Sequence, residues 1–149
     1  MKIYIGSDHN GYYIKNGLVE YLSNAGYDVV DVGNKELDKD DDFTDYAGDL
    51  ANQLLATEEE EAKGILLCGS GQGMCIAANR FNGIRACLGY DQDAVKAGRN
   101  DSDCNVLCLA ANKVDQEQAN LLAETFINTA FAGAERFTRR IKAVDQLTA

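Results

Sequence analysis

Lys63-Gly64-Ile65-Leu66-Leu67-Cys68-Gly69-Ser70-Gly71-Gln72-Gly73-Met74-Cys75-Ile76-Ala77-Ala78 reads as three things in succession. An apolar run forms a strand over 64–68, a turn follows with glycine at every second position, and a helix is predicted over 73–81. The same alternation extends outward in both directions. Upstream lies a β-rich run at 2–7, then Ile14, Leu18, Tyr21, Leu22 and Ala25 at helical spacing until Gly26 closes the helix. A strand near 28–32 and a helix over 45–56 complete that half. Downstream the pattern predicts a strand over 84–89, a helix over 92–99, a strand over 105–110, a helix over 116–131 and a last helix over 134–147. Five strands alternating with helices predict a parallel sheet, because parallel neighbours need crossovers and a helix is their natural crossover. The expected fold is one α/β domain over 1–149, a three-layer α/β/α Rossmann-like sandwich with a five-stranded parallel sheet.

Composition narrows the function. The 149 residues are 46% hydrophobic and 26% charged, as in an ordinary globular domain. No apolar run reaches the roughly 18–20 residues that span a bilayer, and Met1-Lys2-Ile3-Tyr4-Ile5-Gly6 lacks the pattern of a secretory signal. With 14 Lys and Arg against 24 Asp and Glu, the net charge of −10 disfavours nucleic acid as a partner. Five cysteines without a CxxC pair point to reduced thiols in a cytoplasmic protein. One histidine and no HExxH or CxxC spacing give no metal site. The acidic runs Asp38-Lys39-Asp40-Asp41-Asp42 and Glu58-Glu59-Glu60-Glu61 read as solvated loops without a function.

In an open parallel sheet, ligands settle at the carboxyl ends of the strands. The first strand ends in Gly6-Ser7-Asp8-His9-Asn10-Gly11 and the third in the glycine-rich turn after Cys68, while Arg99-Asn100-Asp101-Ser102-Asp103 precedes the fifth. Glycine at 69, 71 and 73 frees the backbone to turn its N–H groups inward as an anion nest. The spacing is GxGxG rather than GxGxxG and no P-loop lysine follows, so a nucleotide is the weaker reading. The other reading is an oxyanion formed in reaction, with Cys68 at the positive pole of the next helix as a base that removes a proton beside a carbonyl. Cys68 is equally readable as a small residue closing a strand, and Asp8 as a helix N-cap. Arg136, Arg139 and Arg140 share one stripe of the last helix, suited to a phosphate dianion or to the many surface carboxylates.

Together, Gly6 to Gly11, Asp45-Tyr46, the run from Gly64 to Ala86 with Ala77-Ala78-Asn79-Arg80, Asn105-Val106-Leu107, and Arg136 with Arg140 resemble the type B ribose-5-phosphate isomerases. That family also holds allose-6-phosphate isomerase and the galactose-6-phosphate isomerase subunits, and the resemblance covers nearly the whole chain. It implies a cofactor-free and metal-free aldose–ketose isomerase acting through a cis-enediolate, used as a homodimer or homotetramer with sites shared between subunits. The resemblance makes Cys68 the base and Ser70 the proton shuttle. The enediolate oxygen would lie against Gly69, Gly71, Gln72, Gly73 and Met74. Asp8 and Tyr46 would meet substrate hydroxyls, and His9, Arg136 and Arg140 the phosphate, the arginines entering from the partner subunit. Before the fifth strand the family carries a ring-opening histidine; here Asp101 stands in its place, with Asn100 and Ser102 beside it at the substrate. Asp101 acts as acid and base if burial raises its pKa, or the substrate is already open-chain, or turnover is weak. A phosphate-contacting arginine of some relatives aligns with Asn112, beside Lys113. The alternatives to a pentose phosphate isomerase are a non-catalytic binding subunit and an isomerase of a hexose 6-phosphate.

Overall fold

The structure is a computed structural model that describes residues 1–147. The chain runs β1 (Lys2–Ser7), a 3-10 turn (His9–Gly11), α1 (Tyr12–Asn24), β2 (Asp28–Asp31), α2 (Phe43–Ala56), β3 (Lys63–Cys68) and α3 (Gln72–Ala78). It continues through β4 (Ala86–Leu88), α4 (Gln92–Ser102), β5 (Val106–Ala110), α5 (Gln116–Asn128) and α6 (Glu135–Asp145). All four strand pairings are parallel, in the order β2-β1-β3-β5-β4. The register sets Ser7 beside Leu67 and Cys68 beside Ala110, so the three inner strands finish level with one another.

Every residue of β3 is buried, because successive side chains enter opposite layers. Ile65 and Leu67 join Leu18, Leu22, Val95 and Phe126 beneath α1, α4 and α5. Leu66 and Cys68 join Tyr46, Leu50 and Met74 beneath α2 and α3. This is the three-layer sandwich that the alternation predicts. No helix among the described residues is long and apolar enough to cross a membrane.

Element limits shift where side chains bond across the sheet. The helix expected to reach 81 ends at Ala78, because Asn79 turns its carboxamide onto the edge strand: its Oδ1 accepts Ala86 N–H (2.8 Å) and its Nδ2 donates to Ala86 O (3.0 Å). The strand expected over 84–89 narrows to Ala86–Leu88. Conversely, α4 runs to Ser102 rather than 99. Buried Arg99 donates to Thr129 O (3.0 Å), Cys104 O (2.7 Å) and Asp103 Oδ1 (2.8 Å), and Asp103 closes the helix in the left-handed region at φ 46°. Helix α6 buries no residue and leans on α4, with a 3.9 Å ion pair from Arg85 to Asp145.

Candidate active site

From β1 the chain passes to β2 on one side, while β3 lies on the other, so the sheet's switch point falls between β1 and β3. A crevice at the carboxyl ends of such a pair is where this architecture binds ligands. Three backbone bonds tie the ends together: Asp8 N–H to Leu67 O (3.2 Å), Ala111 N–H to Cys68 O (2.9 Å) and Asn112 N–H to Gly69 O (3.0 Å). Gly71 turns the chain at φ 74°, and a Cβ there would stand 3.1 Å from Leu109 C and 3.2 Å from Ala110 N. Only glycine fits. At Gly69 a Cβ would meet Asn112 Nδ2 at 2.8 Å and Asn10 Nδ2 at 3.3 Å, so two carboxamides close over the turn. Ser70 is exposed and its Oγ accepts Gln72 N–H (3.2 Å). Gly73 and Met74 lie in the first turn of α3, where N–H groups have no partner within the helix.

Cys68 is 5% exposed and packs with Tyr46, Met74 and Cys108. Its thiol lies within the buried α2 and α3 layer, at the carboxyl end of β3. Asp8 is buried, and burial raises its pKa above the usual carboxylate value. Its Oδ1 accepts Asn10 N–H (3.0 Å), so it is an N-cap as well as a crevice residue. Asp41 departs from the reading of 38–42 as a solvated run, while Asp38, Lys39, Asp40 and Asp42 are exposed as expected. The Asp41 side chain is only 5% exposed, and Oδ1 lies 2.7 Å from His9 Nδ1 and accepts His9 N–H at 3.1 Å. Tyr46 is buried near Asp41; desolvation, followed by the influence of Asp41, Asp38 and Asp45, pushes its pKa up to about 12. The phenol stays a neutral donor. His9 is pushed up from its ordinary value chiefly by the bond to Asp41. Asp8, His9 and Asp41 offer ligand atoms within 4.8 Å of one another, a convergence that sequence spacing hides. In the structure these atoms serve a cap and a histidine–carboxylate bond.

The other predicted residues stand elsewhere. Helix α4 returns from the carboxyl end of β4 toward the amino end of β5, so Asn100, Asp101 and Ser102 lie near the opposite edge of the sheet. Arg140 lines a cavity of about 480 Å³ with Asp101, Ser102, Ile84, Phe137 and Ile141. Arg136 is exposed and its guanidinium stacks 4.4 Å from the Phe137 ring centre. The five residues of β5 separate the two edges by about 16 Å at 3.3 Å per residue. One protomer does not bring both groups around one small molecule. Asp101 is exposed and accepts from Asn100 Nδ2 (2.8 Å), so the burial invoked to tune it is absent in the protomer.

All five cysteines are free thiols. Interaction between Cys75 and Cys108 within the α2 and α3 layer pulls half-buried Cys75 down to about 7 and pushes buried Cys108 up. Asn10, Asn112, Asp41 and Cys75 are thus the crevice and near-crevice residues that sequence reading missed. Asn112 was visible only as a departure from a family arginine.

A parallel α/β sandwich with a thiol, a glycine turn and a histidine–carboxylate pair at its switch point defines an enzyme of the Rossmann-like class. Residues 3–144 match the Ribose/Galactose Isomerase family, and the chain belongs to that family. A probable ribose-5-phosphate isomerase B of Mycoplasma pneumoniae is 38% identical over 139 residues, 93% of this chain and 90% of the relative. The crystal structure of a ribose 5-phosphate isomerase of Thermotoga maritima aligns with TM-score 0.91 and 38% identity, covering 97% of each chain. Ribose-5-phosphate isomerase B of Mycoplasma genitalium, solved with bound ribulose-5-phosphate, aligns with TM-score 0.93 and 32% identity over 98% of this chain and 95% of that one.

Proposed function

We propose that this chain interconverts an aldose phosphate and a ketose phosphate, ribose 5-phosphate and ribulose 5-phosphate first among them, in the cytoplasm. The observation that carries the reading is the join of Cys68 to the Gly69–Gly73 turn at the switch point, beside Asp8 and His9. The Cys68 thiolate removes the proton from C2 of the open-chain aldose, leaving a cis-enediolate. Main-chain N–H groups between Gly69 and Met74 hold the enediolate oxygen, which places donors where charge develops. Ser70 Oγ passes a proton between the sugar's O1 and O2, and the thiol returns its proton to C1. Low exposure of the sulfur keeps water away from the reacting carbons. Asp8 and neutral Tyr46 bond sugar hydroxyls.

The phosphate lies by His9, and a second copy of the chain supplies Arg136 and Arg140, with Asn100, Asp101 and Ser102. A homodimer is the smallest assembly that joins the two sheet edges into one site, and a pair of such dimers serves equally. The relatives named above are called ribose-5-phosphate isomerases, and one holds ribulose-5-phosphate, which supports a pentose phosphate as substrate. The test is incubation with ribulose 5-phosphate in deuterated water. The expected result is aldose, with deuterium at carbon only as far as the thiol proton exchanges with solvent before its return, and Cys68→Ala slower by about 10²–10⁴-fold, the range of one general base. Neither label nor aldose from the native chain would leave a binding subunit as the function, the reading favoured by the exposed Asp101. A parallel panel of hexose 6-phosphates reads the sugar length.

A further inference from the structure

The geometry points to Asp41 as a positioning residue that fixes His9 in the ring orientation and tautomer needed to grip the substrate's phosphate. This rests on the isomerase reading for the phosphate and for the contact of His9 with it. Three features argue for it. First, Asp41 is the one inward-facing member of an otherwise exposed acidic run. Asp41 N–H bonds Asp38 O (3.3 Å) and Asp40 N–H bonds Asp38 Oδ1 (3.0 Å), a turn that swings the next carboxylate back toward the 3-10 turn. Second, the loop bearing this turn is anchored upstream. Fully buried Lys15 donates to Asp31 (2.9 Å) and Asn34 O (2.9 Å), and Tyr12 O–H donates to Lys35 O (2.8 Å). Third, the carboxylate is held twice by the same residue: it accepts the backbone N–H of His9 at 3.1 Å and lies 2.7 Å from His9 Nδ1, with buried Tyr46 nearby.

The chemistry follows from which ring nitrogen is engaged. With Nδ1–H given to Asp41, Nε2 faces away from the carboxylate. Neutral His9 in this tautomer presents a lone pair at Nε2, which repels a phosphate oxygen. Protonated His9 presents Nε2–H, which donates a charge-assisted bond. The charged groups acting on His9 are Asp8 on its own turn and Asp38 and Asp41 on the loop, opposed by desolvation, and neutral Tyr46 of α2 lies near Asp41. All the charges are negative, so all favour the imidazolium. The sign is therefore fixed: phosphate affinity is high below the raised pKa of His9 and falls as pH climbs through it.

His9 is the only histidine in the chain, so its titration is read without assignment. In the native chain, ring ¹⁵N shifts should report Nδ1–H with bare Nε2 at high pH and a midpoint above the ordinary 6.5. Asp41→Asn should move that midpoint down and mix the tautomers, while Asp41→Glu restores most of the shift. Affinity for inorganic phosphate at pH 7 and KM for ribulose 5-phosphate should each weaken roughly tenfold in Asp41→Asn, the order of one charge-assisted bond, with kcat kept within about twofold. A His9 midpoint or tautomer unmoved by Asp41→Asn overturns the proposal, as does an unchanged phosphate affinity. If the native chain turns over no sugar phosphate, the titration and inorganic-phosphate arms still decide it, and only the isomerase reading falls. If Asp41→Asn does not fold, the native tautomer decides: Nε2–H at high pH contradicts the assignment.

Discussion

Two cysteines seven positions apart, Cys68 and Cys75, face the same helix layer and have different chemistry. Cys68 ends β3 within the buried layer, 5% exposed in one cluster with Tyr46 and Met74. Cys75 lies a turn and a half later, half-buried. Its Sγ is 3.6 Å from Ala86 O and receives Asn79 Nδ2 at 3.7 Å. Interaction with Cys108 lowers Cys75 to about 7, so its thiolate fraction grows through neutral pH. Alkylation by iodoacetamide read by mass spectrometry should mark Cys75 first, with a rate that climbs through neutral pH. First labelling of Cys108 or Cys87 would contradict these contacts. Modified Cys75 also reports whether α3 tolerates bulk behind the glycine turn, a question separate from the chemistry at Cys68.

At the scale of elements, the strand–turn–helix join from β3 to α3 carries most of the consequence. Gly71 must hold φ 74° with backbone atoms of Leu109 and Ala110 where a Cβ would point. Gly71→Ala should lower stability by about 2 kcal/mol or more, the left-handed penalty plus displacement of β5. Denaturant unfolding checks it, and an unchanged midpoint would mean that the turn is not fixed in this form. The strands were legible in sequence because β1, β3 and β5 are buried on both faces and read as apolar runs. The helix ends were less so. That α3 stops at Ala78 depends on Asn79 bonding Ala86 seven residues away, and the extension of α4 depends on Arg99 turning inward to Thr129 O. Periodicity does not register such bonds. Asp41 was hidden for the same reason: among four aspartates in five residues, only the loop's path decides which one turns in.

The whole molecule divides the expected site. Asp8, His9, Tyr46 and Cys68 with its glycine turn gather at one edge of the sheet, while Asp101, Ser102 and Arg140 share a cavity toward the other. Sequence order concealed this, because motifs that a family uses together need not come from one copy of the chain. Helix α6 buries nothing within its own protomer, although Phe137 and Ile141 face the same cavity as Arg140. Such a helix is suited to being covered by a second copy, and closed symmetric pairs are the commonest way that chains complete one another's sites. The most direct measurement is therefore complementation. Cys68→Ala chains and Arg136→Ala/Arg140→Ala chains, each inactive alone, are co-expressed with different tags, and the hybrid dimers are assayed for ribulose 5-phosphate isomerisation. A site shared between subunits predicts one intact site in each hybrid, hence roughly half of native activity per dimer. Hybrids as inactive as both parents would contradict it.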